Sequence, residues 1–173
     1  MTCITAKEQS DLLLTWSVPE DPYYGSSAPL HYAQFYPPKD FRSLQYFTAA
    51  YLEAFASDTA SLIVFTDWAL YAPHEMELIA AARLGAEETR PLIEASGQLF
   101  TSKERNLAAA YFSLAVAYGW SSYLYLPSHK TTLFNWEGDI IDFWSDSEKD
   151  FIEMRNLIST YNLLYTDKTE QGA

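Results

Sequence analysis

Cysteine is almost missing from this sequence. Cys3 is the only one among 173 residues, so no internal disulfide can form and nothing argues for an oxidising compartment. A single thiol near a terminus, with no base placed beside it, carries no nucleophile signature either. Glycine is scarce and isolated, which excludes both a G-x-S-x-G nucleophile elbow and a phosphate-cradling glycine loop. Histidines number three, His31, His74 and His129, and they lie far apart. His74 and Glu75 begin like a zinc-binding helix, but Leu78 stands where the second histidine must be, so no metal site and no cofactor are expected.

Positive charge is also short. Lys and Arg total 11 against 23 Asp and Glu, a net charge of −12 that repels phosphate backbones and anionic lipid. Nucleic-acid and membrane partners are therefore not expected. The amino end, MTCITAKEQSDLLLTWSVPED, lacks a basic leader ahead of an apolar run, and its longest apolar piece is too short for export or spanning. The expectation is a soluble, unprocessed, cytoplasmic protein.

What the chain does have is acid and aromatic surface. From Glu137 onward nine carboxylates face three basic residues, which places half the net charge in the last 37 positions. A solvated helix face and tail explain this plainly; a surface for a basic partner is the functional alternative. Aromatics reach 16% of the chain, including 13 Tyr and 5 Trp, more than a core of this size obviously needs, and interfaces concentrate Tyr and Trp.

Periodicity yields an ordered set of elements. Asp11 to Val18 reads as a first strand closed by Pro19, and residues 19–39 as an aromatic-rich loop in which a strand at Leu30 to Tyr36 can hide. Asp40 caps a helix to about Ala56, with Leu44, Phe47, Tyr51, Leu52 and Phe55 on one face. Ser61 to Phe65 is a continuous apolar run typical of a central strand. A helix starts near Pro73 and stops at Gly85; another follows the Thr101 and Glu104 capping box and is apolar enough to sit centrally. Ser121 to Leu126, TTLFNW and DIIDFW form a three-stranded meander. Ser145 and Glu148 then cap a last helix with Phe151, Met154, Ile158 and Tyr161 on one face, and residues 166–173 form a frayed tail. The spacing predicts one α+β domain over residues 1–173: a mixed or antiparallel sheet with a C-terminal β-meander, packed by about four to five helices.

Two constellations carry candidate chemistry. Asp67 follows the central strand and His74 and Glu75 open the next helix, so a carboxylate and an imidazole can meet as general acid and base beside Trp68; the plain alternative is a turn cap and an exposed histidine. In TTLFNWEGDIIDFWSD, Asp139, Asp142 and Asp146 do not follow the spacing of a divalent-metal loop. A two-residue turn at Glu137-Gly138 pairs Trp136 with Asp139. That register places Phe134, Trp136, Ile141 and Phe143 inward, leaving Leu133, Asn135, Ile140, Asp142 and Trp144 outward. The outward set, with Glu137 at the turn and Tyr23 and Tyr24 in the long loop, is the candidate partner surface, although packing under another element explains the same residues.

With no complete catalytic constellation, the functional expectation is a non-enzymatic acidic binding protein. Its most specific form is an immunity-type protein that neutralises a basic toxin domain by direct contact. A small hydrolase using Asp67 and His74 is one alternative; a homo-oligomeric accessory or structural protein, such as a homodimer with its aromatics at the subunit contact, is another.

Overall fold

The computed structural model describes residues 1–24, 29–56, 58–66 and 77–166. Its elements in chain order are β1 (Thr2–Ile4), α1 (Ala6–Trp16), β2 (His31–Phe35), α2 (Phe41–Phe55), β3 (Ser61–Phe65), α3 (Glu77–Leu84), β4 (Gly97–Phe100), α4 (Arg105–Ala117), β5 (Ser122–Leu126), β6 (Thr131–Trp136), β7 (Ile140–Ser145) and α5 (Glu148–Thr160). The strands form one seven-stranded sheet in the order β1-β4-β3-β5-β6-β7-β2, antiparallel at every pairing. The α+β class, the antiparallel sheet and the C-terminal meander are as the sequence pattern implies.

Helices cover one face completely. Ile63 and Phe65 of β3, Leu124 and Leu126 of β5, Leu133 of β6, Ile141 and Phe143 of β7, and Ala33 and Phe35 of β2 point the same way and meet α2, α4 and α5 in one core. Part of the aromatic content is spent here: Tyr51, Phe35, Phe47, Phe55, Phe65, Phe100, Phe112, Trp120 and Phe143 are all buried, each worth about 1.5–3 kcal/mol relative to exposure.

On the second face α1 and its exit pack over one side. Leu13 and Val18, with Leu12 and Trp16, pack from α1 and its exit onto Leu62, Val64, Tyr125 and Tyr123. That covers the β4-β3-β5 side of the sheet; on the β6-β7-β2 side Gln34, Thr132, Phe134, Asp142 and Trp144 are buried as well, with Tyr23 of the segment after α1 packed against Phe134 and Trp144.

The expected first strand is corrected: Asp11 to Val18 belongs to α1. Thr5 is its N-cap, with Glu8 completing a capping box, and Gln9 and Leu13 are buried four residues apart, the helical spacing. Ser17 ends it in the left-handed region, its N–H bonded back to Leu13 and Leu14 carbonyls. The short strands β1 and β4 were not expected, whereas β2 is the strand that the long loop can hide.

Asp40 caps α2 through the Ser43 N–H, and the Thr101 and Glu104 box forms and leads through one 3-10 turn into α4. The start of α3 near Pro73 lies outside the described residues; the helix is present from Glu77 and ends before Gly85. The cap of α5 is Ser147, not Ser145, because the Ser147 hydroxyl accepts from Asp150 N–H while the Ser145 hydroxyl accepts from Ser147 N–H.

Of the tail expected to fray over residues 166–173, Thr166 is held in place, and residues 167–173 lie outside the described residues. Tyr165 bridges to Phe35 on the outer edge of β2, the Tyr36 N–H donates to Leu164 O, and Thr166 N–H donates to Gln34 O. At the opposite edge, Arg90 donates to the Cys3 carbonyl of β1. Among the described residues no helix is long and apolar enough to cross a membrane.

Candidate functional site

The hairpin β6-β7 departs from the expected register. Glu137 and Gly138 both adopt positive φ and Asp139 N–H closes the turn onto Trp136 O, but Asp139 is left over, so Trp136 pairs with Ile140 and Phe134 with Asp142. A shift of one residue exchanges the two faces of a strand. Strand β7 keeps the expected orientation while β6 is turned over: Thr132, Phe134 and Trp136 now share a face with Ile140, Asp142 and Trp144, and Leu133 and Asn135 face the helices.

The turn is held from below. Asn135, fully buried, donates to Trp120 O and accepts from Gly138 N–H, so its place is inside the turn and not on the open face. Gly138 lies against the end of α4, where a β-carbon would come within 2.3 Å of Val116 O.

Across the β2-β7-β6 side the pairing aligns Gln34, Asp142 and Phe134 in one row and Tyr32, Trp144 and Thr132 in the next. The segment after α1 crosses above them. Tyr125 OH donates to Glu20 O, and Asp21 accepts from Tyr23 N–H, which sets the Tyr23 ring edge-on to Trp144 at 4.6 Å and near Phe134 and Trp136.

Asp142 is the centre of this arrangement. It was expected on an outward surface, yet it is 0% exposed, and Trp144 beside it is buried as well. Tyr23 OH and Trp136 Nε1 (2.6 Å) donate to Oδ2, while Tyr32 OH (2.7 Å) and Gln34 Nε2 (2.7 Å) donate to Oδ1. Thr166 OH donates to the Gln34 Oε1 at 2.6 Å, which turns the amide nitrogen toward Asp142. Four donors occupy the usual acceptor positions of a carboxylate. All four are neutral, and among the described residues the ion pairs lie elsewhere, at Met1–Glu104, Glu88–Arg90 and His129–Asp150.

The two phenols respond to this charge. Burial first, and then the hydrogen bond and charge of Asp142, raise Tyr23 and Tyr32 above the ordinary tyrosine value. Over the cluster opens a depression of about 560 Å³ lined by Tyr23, Tyr32, Gln34, Trp136, Ile140 and Asp142, with Glu137 and Asp139 at its mouth. Trp136 is 45% exposed there and Glu137 and Asp139 are exposed, whereas Tyr24 is exposed beyond the aromatic group.

The structure thus brings Tyr23, Asp142, Trp144 and Glu137 together and sets Asn135 apart. Tyr32, Gln34, Trp136 and Asp139 were missed. Alternation in HYAQF carries a signal for the first two, but Trp136 depends on the extra turn residue. The other candidates, Asp67, His74 and Glu75, lie outside the described residues. His129 bonds Asp150 and His31 stacks on Phe151, both away from this pocket, and among the described residues no three His, Cys, Asp or Glu are grouped to hold a metal ion. In comparisons with known proteins the chain matches no family model, no curated protein and no solved structure, so its function has to be argued from this site.

Proposed function

We propose that the protein is a non-enzymatic acidic binding protein of the cytoplasm whose contact surface is the aromatic depression beside the β6-β7 turn, and whose partner is a basic protein. In its most specific form it is an immunity-type protein that neutralises a basic toxin domain by covering it. The observation that carries the reading is the carboxylate of Asp142: buried, bonded among the described residues to four neutral donors, and set beneath an aromatic depression that Glu137 and Asp139 also line. A buried charge exerts its field through a medium less polarisable than water, so a cation arriving above it is attracted more strongly than at an ordinary surface.

The same geometry supports a binding role over a catalytic one at this site. With its acceptor positions filled, Asp142 has no free lone pair with which to take a proton from a substrate. The net charge of −12 steers a cationic partner toward the surface, and the half-exposed Trp136 and Tyr23 offer the aromatic anchors that hold complexes together.

The test is direct binding between the purified protein and the purified product of the neighbouring gene, if that product is basic and toxic, together with rescue of growth on co-expression. Salt-sensitive binding with rescue is expected. A neighbour that is neither bound at low salt nor neutralised would sink the reading, and a mass that rises with concentration in its place would favour self-association.

A further inference from the structure

The depression over Asp142 has a chemistry narrower than general attraction to positive charge. We infer that it is the receptor for a single arginine side chain of the basic partner, an inference that rests on the binding reading above. Trp136 and Tyr32 give the pocket aromatic walls, on which a planar, weakly hydrated guanidinium stacks better than a compact ammonium does. Asp142 supplies negative potential from beneath, but its oxygens are already occupied, so it draws the cation in without forming a direct hydrogen bond.

Direct acceptors are found at the mouth instead. Glu137 and Asp139 flank Gly138 on the turn and both line the pocket, so a guanidinium stacked within can turn its N–H groups toward them. The preference follows: a quaternary ammonium has no N–H for these carboxylates, and a lysine ammonium offers no plane for the rings. The extra turn residue Asp139, which shifted the hairpin register, brings Trp136 to this face and places the second carboxylate at its rim.

Three probes test this by nuclear magnetic resonance titration of the intact protein: N-acetyl-arginine amide, N-acetyl-lysine amide and tetramethylammonium. The arginine compound is expected to shift the Trp136 indole N–H signal at millimolar concentration and to bind about tenfold more tightly than the other two. The double variant Glu137→Gln/Asp139→Asn, altered only at exposed turn positions, should weaken it by about tenfold while the urea midpoint stays in place. Equal response to tetramethylammonium or to the lysine amide overturns the arginine assignment, as does a shift that the double variant leaves unaltered. If none of the small cations binds, yet a basic partner still associates with an affinity indifferent to the double variant, the pocket inference fails and the binding reading stands. If the arginine amide binds as expected but no basic protein does, the binding reading fails and the pocket stands.

Discussion

Asp142 keeps a full charge away from water with four neutral donors and no cation from its own chain beside it among the described residues. Replacing it by asparagine retains the shape but turns an N–H₂ group toward the donors that the carboxylate now accepts from. Asp142→Asn should therefore destabilise by about 3 kcal/mol, read as a lower urea midpoint with an unchanged slope. The phenols above it respond to alkali. An acid whose folded pKa is raised keeps its proton while the unfolded chain loses it, so stability is intact below about pH 10 and falls as the pH rises further. Tyr23→Phe should remove up to about one proton from that alkaline dependence, measured by urea unfolding between about pH 9 and pH 11; an unaltered dependence would count against the Tyr23 contact. At this scale the sequence is informative about residue type and poor about partners. The DIIDFW pattern puts Asp142 and Trp144 on one face, as observed, but burial came from Tyr23 and Tyr32, whose loop and strand lie more than a hundred residues away in the chain.

Among elements, the β6-β7 hairpin shows how one residue redirects a surface. Gly138 needs both its positive φ and its missing β-carbon, since Val116 O occupies the space a methyl would fill. Gly138→Ala should cost about 2 kcal/mol or more, and because the turn sets the register, the loss should be accompanied by a changed Trp136 environment in fluorescence. Elements with a strong local pattern were readable: the Asp40 cap and aromatic stripe of α2, the β-branched run of β3, the capping box before α4. Others were not. In α1 three consecutive leucines imitate a strand, and the helical evidence lies upstream in Thr5 and Glu8, while β1 and β4 are short strands whose pairing, not their composition, makes them strands. The register of β6 against β7 was lost for a different reason: a glutamate in left-handed conformation before a glycine gives no sequence sign that the next residue will be skipped.

At the level of the molecule, one face of the sheet is filled by α2, α4 and α5, and on the other Glu137, Asp139 and Asp142 line the depression. If steering by net charge governs encounter, the association rate with a basic partner should fall about tenfold between low and roughly 0.5 M salt while dissociation changes much less, as stopped-flow mixing would show. A rate indifferent to salt would argue for an apolar encounter instead.

The two flanks of the sheet add a constraint on how any partner can dock. One flank is occupied by the chain's own end, through Leu164, Tyr165 and Thr166 on β2; the other is a strand of three residues whose Cys3 carbonyl is already taken by Arg90. Each contact takes up backbone that a visiting strand would need to extend the ladder there, so strand addition at those positions has to displace the chain's own bonds. A partner that docks through side chains at the depression leaves those edge bonds in place, and there point substitutions can retune the choice of partner without touching the backbone that carries the fold.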